Sequence, residues 1–363
     1  MIPLIIGGGP AGAAAAITLA RGGLTPRLIE KSSGAHEVVC GGFLGWDALA
    51  LLGALEIDVA ALGARAITRL RLIAGDRRIE ARLPQAAAGL SRRALDAALL
   101  AAAERAGAQV LRGTTARSVD PERRILRLHD DSEIGGDALL LATGKHELRG
   151  LARPLADRRE DLAVGLRTVL PPSATRDRAL AGTIELHLFD GGYAGLLLQE
   201  DGMTNLCLSV SQARLAAAGG PLPLLDRLAC DLPLLDHRIG PDFPARVSAI
   251  AGVPYGWRAQ DTAPGVFRIG DQGAVIASLA GDGIALALAG GIGAARALLA
   301  GNAAQDWQAG FARRTGRQLA LAEGLRRSVE HPVGRAGLMA LLRIAPGLVR
   351  PAARLTRIGG SLR

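Results

Sequence analysis

Gly7-Gly8-Gly9-Pro10-Ala11-Gly12 sets glycines at positions 7, 9 and 12, a spacing that brings backbone N–H groups against a diphosphate. The first glycine permits a sharp turn, the second lets the backbone approach the phosphates, and the third lets a helix pack closely on a strand. Glu30 lies 18 residues beyond Gly12, where a carboxylate accepts hydrogen bonds from a ribose diol. Proton exchange falls to Cys40, His146, His187 and Tyr193. Cys40, in Cys40-Gly41-Gly42-Phe43-Leu44, reads either as a small buried hydrophobe or as an acid that returns a proton to a substrate carbon.

The elements that must position these groups can be read from periodicity. Ile2–Ile6 is a short apolar run ending in glycines, Ala13–Ala20 is an alanine-rich helix stopped at Arg21-Gly22, and Pro26–Glu30 is a second buried strand. Together they predict a βαβ unit. Residues 66–83 alternate Ile67, Leu70, Leu72 and Ile79 against arginines around Ala74-Gly75-Asp76, a hairpin with one buried face. Ser91 is placed to cap a helix reaching Ala106. Strands follow at Val110-Leu111, Ile125–Leu128 and Ala138–Ala142. Beyond Gly150, short β-like runs at 163–169, 183–189, 194–198 and 205–210 predict an antiparallel sheet. Residues 215–235 are helical in parts, Val266–Ile269 is a strand, and Gly283–Leu299 is a helix. The expected fold class is therefore α/β, a Rossmann-like nucleotide-binding domain interleaved with a smaller antiparallel-sheet domain. The expected boundaries are 1–65, 86–150 and 258–330 for the first domain, 66–85 and 151–257 for the second, and 331–363 for a basic tail.

The late segment GDQGAVIASLAGDGI, starting at Gly270-Asp271, resembles glutathione-reductase-type flavoproteins, in the branch of p-hydroxybenzoate-hydroxylase-like and geranylgeranyl-reductase-like enzymes. The resemblance implies FAD as cofactor, with Asp271 on its ribityl chain. It also places the N–H groups of Gly281, Gly283 and Ile284 at the flavin N1/O2 edge, where charge develops on reduction. Arg92, in the helix start Ser91-Arg92-Arg93-Ala94-Leu95-Asp96, is implied to lie beside the cofactor. Thr143-Gly144 resembles the strand end that closes the nucleotide fold, and Cys40-Gly41 the segment that borders flavin and substrate. The full expected cofactor set is Gly7, Gly9, Pro10, Ala11, Gly12, Glu30, Lys31, Cys40, Gly41, Arg92, Thr143, Gly144, Gly270, Asp271, Gly281, Gly283 and Ile284. Phe43, Trp46, Tyr193, Tyr255 and Trp257, half of the ten aromatic residues, fall beside these segments and predict an aromatic-lined pocket, with Cys40 and Tyr193 as catalytic candidates. Two departures stand out: Ala142-Thr143-Gly144-Lys145-His146 lacks the acid that hydroxylases carry there, and Ala277-Ser278 replaces a common proline.

Composition excludes other classes. With 363 residues, 49% hydrophobic and 21% charged, the chain has a folded composition large enough for two domains and a cleft. The net charge of +9 comes from 43 basic residues of which only Lys31 and Lys145 are lysine, and aromatic platforms for bases are scarce, so nucleic-acid binding is not expected. Three cysteines without C-x-x-C spacing suggest neither disulfides nor a metal site and fit a reduced, cytoplasmic setting. The favoured activity is flavin-hydroperoxide hydroxylation of an aromatic or phenolic substrate. The alternative is flavin-dependent reduction of carbon–carbon double bonds in a prenyl-type lipid, and a weaker one is an electron carrier without its own substrate. Electrons would come from NAD(P)H or a separate reductase. The expected partner is a hydrophobic small molecule. The tail after Glu330, with six arginines and no acid plus the apolar stretch Gly337–Ile344, is a candidate for peripheral contact with anionic lipid.

Overall fold

The structure, a computed structural model, describes residues 1–154 and 162–357. Residues 155–161 of the expected second domain, and 358–363 of the tail with Arg363, lie outside the described residues.

The expected βαβ opening is present as β1 (Pro3–Ile6), α1 (Pro10–Arg21) and β2 (Arg27–Ile29). All of β1 is apolar and buried, as a strand covered on both faces must be. Next come β3 (Phe43–Leu44), α2 (Trp46–Ala54) and the long hairpin β4 (Arg65–Ala74) and β5 (Arg77–Gly89). In α3 (Arg92–Arg105) the Ser91 hydroxyl accepts from the Ala94 N–H, the cap read from the sequence. Then follow β6 (Gln109–Leu111), β7 (Ala116–Asp120), β8 (Ile125–Leu128), β9 (Glu133–Gly135) and β10 (Ala138–Leu141).

The middle of the chain supplies β11 (Ala163–Leu170), α4 (Ala174–Leu180), β12 (Thr183–Phe189), β13 (Gly192–Leu198) and β14 (Thr204–Ser211). Three short helices, α5 (Gln212–Ala218), α6 (Pro221–Asp231) and α7 (Pro233–Ile239), lead to β15 (Ser248–Val253). The last elements are β16 (Val266–Arg268), α8 (Gly283–Leu299), α9 (Ala304–Glu330), α10 (Pro332–Ile344) and α11 (Val349–Leu355).

Three sheets result. A five-stranded parallel sheet has the order β16-β10-β1-β2-β6, so the late strand β16 pairs with β10 and closes the nucleotide fold. A small antiparallel sheet is formed by β7, β8 and β9. The third has eight strands, β15-β11-β14-β13-β12-β4-β5-β3, more than the nucleotide sheet. It is mixed rather than purely antiparallel: β12 runs parallel to β4, from Thr183 opposite Arg69 to His187 opposite Ile73. The cause is connectivity. Strand β4 ends more than a hundred residues before β12 and joins it by a long crossover, which allows parallel pairing where a tight turn would not.

Strand β12 is buried on both faces, and its alternation sorts two kinds of side chain. Ile184, Leu186 and Leu188 pack with Leu72, Val329, Met339 and Leu342 in one apolar cluster. Glu185 and His187 occupy the opposite face, where Arg71 of β4 donates to Glu185 at 2.6 Å and Arg238 of α7 at 3.0 Å. Helix α9, 27 residues long, was not legible as one element, yet Trp307, Phe311, Leu319 and Ala322 recur on its buried face. It carries the chain from the nucleotide fold to the eight-stranded sheet.

Candidate functional site

At the first glycine turn, α1 starts directly after Gly9 with no side chain capping its free N–H groups, so they remain available to an anion. Gly7 has φ +107°, and a Cβ there would stand 2.4 Å from the Ala142 carbonyl oxygen. A Cβ on Gly12 would stand 1.9 Å from the Gly7 oxygen, so Gly12 acts by close packing and does not line the cavity. Glu30, at the end of β2, accepts the Gly8 and Ser32 N–H groups, each at 2.8 Å, which fixes its carboxylate beside the turn. Arg92 forms a two-pronged pair with Asp96, both contacts 2.7 Å, and its Nη2 lies 3.2 Å from where a Gly9 Cβ would be. Burial works against its charge, but Asp96 outweighs that and its pKa is raised. A permanent cation thus faces the phosphate turn.

Farther along the cleft, two loops are stitched together. Lys145, just after β10, donates to Asp271 at 2.9 Å, and Gln272 donates to the carbonyls of Gly144 and His146. The Asp271 carboxylate, attractive first and burial opposing second, raises the Lys145 pKa. The position at which an acid is missing therefore supplies the counter-ion of Asp271. Helix α8 begins at Gly283 without a side-chain cap, because the preceding Asp282 pairs instead with Arg357 at 2.8 Å. Arg357 also donates to the Gly281 carbonyl at 3.2 Å and lies 4.4 Å above the Trp46 ring.

These residues fit FAD. Cβ atoms built on Gly41, Gly144 and Gly283 would meet nothing within 4 Å, so their backbones border open cavity. Apart from Gly12, every residue of the expected cofactor set lines one continuous cavity of about 770 Å³. The ends of α1 and α8 offer their N–H groups to its two ends.

The cavity continues past the cofactor cleft into a second lobe. Leu70, Leu72, Ile184, Leu186, Leu188 and Leu197 wall one side and Leu325, Val329, Leu338, Leu342 and Val349 the other. The aromatic pocket expected from the sequence needs correction. Phe43, Tyr193 and Tyr255 line the cavity, but Trp46 lies under Arg357 and Trp257 against Arg153, at 5.4 Å, and neither reaches the lining. The wall is aliphatic because the alternating strands aim their leucines and isoleucines inward.

Where the lobe meets the cleft, the chain's two tyrosines converge on one serine. Tyr193 donates to Ser278 Oγ at 2.5 Å, Tyr255 Oη lies 2.7 Å from the same atom, and Ser209 is 3.3 Å from Tyr255. Burial pushes both phenol pKa values above the ordinary tyrosine value, so both keep their protons. Two thiols also line the cavity: Cys40, whose sulfur accepts the Gly42 N–H at 3.5 Å, and Cys207, pushed up to about 12 by burial. His146 lines the cavity with its pKa lowered by burial and by Lys31 and Lys145. His187 does not, being held against Glu185 at 2.9 Å on the far face of β12.

All five carboxylates in the lining are engaged. Glu30 holds backbone amides, Asp96 holds Arg92, Asp271 holds Lys145, Glu147 holds Arg153 at 2.6 Å, and Glu37 holds Arg167 at 2.8 Å. Protons for chemistry are therefore left to hydroxyls, thiols and the imidazoles of His36 and His146. Among the described residues no cluster of His, Cys, Asp and Glu is arranged to hold a metal. Sequence reasoning missed Ser278, visible only as a departure from proline, and missed Arg357 and the tail residues that wall the lobe.

A family model described as pyridine nucleotide-disulphide oxidoreductase matches residues 3–160. The chain is 28% identical over 340 residues to a protein named menaquinone reductase from Mycobacterium tuberculosis strain H37Rv, covering 89% of this chain and 82% of that one. A geranylgeranyl bacteriochlorophyll reductase-like protein from Thermoplasma acidophilum superposes with a TM-score of 0.77 at 21% identity, over 99% of this chain and 94% of the other. Halogenase PltM in complex with phloroglucinol and FAD superposes with a TM-score of 0.72 at 14% identity, over 90% and 75%. With the glycine turn, the late Gly-Asp loop and the two sheets in place, the chain is an FAD-dependent oxidoreductase whose fold is shared with the geranylgeranyl-reductase-like and halogenase structures and whose motifs resemble the glutathione-reductase-type flavoproteins.

Proposed function

We propose that the chain reduces a carbon–carbon double bond in the prenyl chain of a lipid, with a menaquinone as the lead substrate. The observation that carries this reading is the aliphatic lobe beside the flavin cleft, walled by leucines from β4, β12, α9 and α10. A prenyl chain asks for apolar contact and no hydrogen bonds. A phenol asks for a partner for its oxygen, and the lobe offers hydroxyls only where it meets the cleft, at Tyr193, Ser278 and Tyr255, with an aliphatic wall beyond, so hydroxylation, the reading favoured from the sequence, has the weaker support. The relative named menaquinone reductase points the same way. A lobe of this kind has no use in an electron carrier without a substrate.

Reduced FAD, when bound, supplies a hydride equivalent. The chain's own residues supply position, dryness and the proton. Glu30 and the start of α1 hold the nucleotide end, and Lys145 with Asp271 fixes the loops around the middle of the cofactor. The leucine wall excludes water from the reacting carbon pair. Tyr193, through Ser278 and Tyr255, holds the proton that completes saturation, with Cys40 as a further donor lining the cavity.

The test is anaerobic. Protein reduced with dithionite is freed of excess reductant and mixed with detergent-solubilised menaquinone, and flavin absorbance is followed. Return of the oxidised spectrum without oxygen, together with two added hydrogens in the side chain of the recovered lipid, supports the proposal. No return, together with oxygen-dependent hydroxylation of a phenol, overturns it.

A further inference from the structure

Helices α10 and α11 meet at a bend of 110° and have two unlike faces. Inward, Leu338, Leu342 and Val349 wall the apolar lobe. Outward, Val333, Leu341, Ile344, Leu348 and Leu355 are exposed, Ile344 to 85% and Val333 to 74%. These side chains lie on two adjoining short helices and the turn between them, whereas the other exposed large apolar residues among the described ones, Met1 with Ile2, Leu111, Phe243, Leu299 and Leu321, are spread over the rest of the chain. Arg343, Arg350 and Arg354 are exposed beside them, and the chain from His331 onward contains no acidic residue. The lobe reaches the surface here too, because Ala352 is both exposed and part of its lining.

We infer that the α10–α11 corner is an interfacial membrane anchor for anionic bilayers, set at the mouth through which the lobe opens. The apolar outward stripe enters the acyl boundary while the three arginines meet lipid phosphates, the charge pattern of a helix lying in the interface plane. The corner lies on the membrane and does not cross it. Met339, Leu342, Val349 and Thr356 are buried against the protein, Arg335 bonds Asp190, and Arg357 bonds Asp282 beside the flavin loop, so the segment is docked along its length. The docking surface stands on its own residues; passage of substrate lipid from it into the lobe rests on the proposed reductase activity.

The test uses the FAD-loaded full chain and flotation with vesicles of phosphatidylcholine alone or mixed with phosphatidylglycerol. The protein is expected to float with the mixed vesicles. Replacing Arg343, Arg350 and Arg354 together by Gln is expected to weaken that binding by about a hundredfold, at roughly fivefold for each arginine. Ile344→Glu with Leu348→Glu is expected to abolish it, while flavin content and turnover of detergent-solubilised menaquinone stay unchanged. Failure of the unaltered protein to float overturns the inference. So does finding, by light scattering, that Ile344→Glu converts a dimer to a monomer while leaving flotation intact, since the face would then be covered by a second copy. Flotation without any turnover would instead count against the reductase reading alone.

Discussion

Replacing Ser278 by Ala removes one oxygen on which two phenols depend. Tyr193 loses its 2.5 Å partner, and Tyr255 keeps only Ser209, at 3.3 Å. A buried hydroxyl left without a partner costs about 1–3 kcal/mol, so thermal stability should fall by about 2 kcal/mol. If protons reach the substrate along Tyr255, Ser278 and Tyr193, the saturation step should slow by about a hundredfold or more, the range seen when a positioned acid is lost. The assay is anaerobic single turnover, with flavin reoxidation followed in protein of verified FAD content. Tyr193→Phe should show the same loss as Ser278→Ala, and the double variant should be no slower than either, because residues of one relay are not additive. An unchanged turnover rate in Ser278→Ala, with the expected loss of stability, would refute the relay and pass the acid role to Cys40.

Other perturbations probe the cleft, the lobe and the buried charges. Gly283→Val should fold normally, since its side chain would enter open cavity, but should purify without bound flavin, whereas Gly12→Ala should fail to fold because of the 1.9 Å approach to the Gly7 oxygen. Arg357→Met removes the cation facing the buried Asp282 and the Gly281 carbonyl; breaking such a pair costs about 3–5 kcal/mol, and a lower melting temperature with weaker FAD retention in equilibrium dialysis should follow. Leu186→Trp fills the lobe and should raise KM for long prenyl chains while sparing short ones in the same reoxidation assay. Glu185 is opposed by burial but held by hydrogen bonds from His187, Arg238 and Arg71, which bring its pKa down to about 2 from an ordinary 4.5. A depressed carboxylate stabilises the fold above its unfolded pKa and loses that contribution as pH falls from about 4.5 towards 2, on the order of 3 kcal/mol in denaturant titrations. Glu185→Gln should flatten this acid limb.

The nucleotide end was legible because its signals are local: a glycine spacing, a following helix and an acid at the next strand end all lie within thirty residues. The late loop at Asp271 was found only through its resemblance, and its partner Lys145 lies 126 positions earlier, a pairing that no local pattern reports. The second sheet was read strand by strand, yet its parallel β12–β4 junction was not, since strand direction is set by a crossover of more than a hundred residues. The pocket's character was misread for a related reason. Aromatic residues were counted by nearness in sequence to cofactor segments, but wall residues are chosen by strand alternation, which turns Leu186 and Leu188 inward, while Trp257, in the connection after β15, packs against Arg153. Arg357 reads as one more basic tail residue until the fold returns it to Asp282.

Saturation of a prenyl chain and reduction of its quinone ring are told apart by the mass of the product. After anaerobic turnover of menaquinone with the reduced protein, the mixture is exposed to air, which returns any quinol to quinone, and the extracted lipid is weighed by mass spectrometry. A lasting gain of two hydrogens located in the side chain is expected. A lipid that regains its starting mass in air would contradict it.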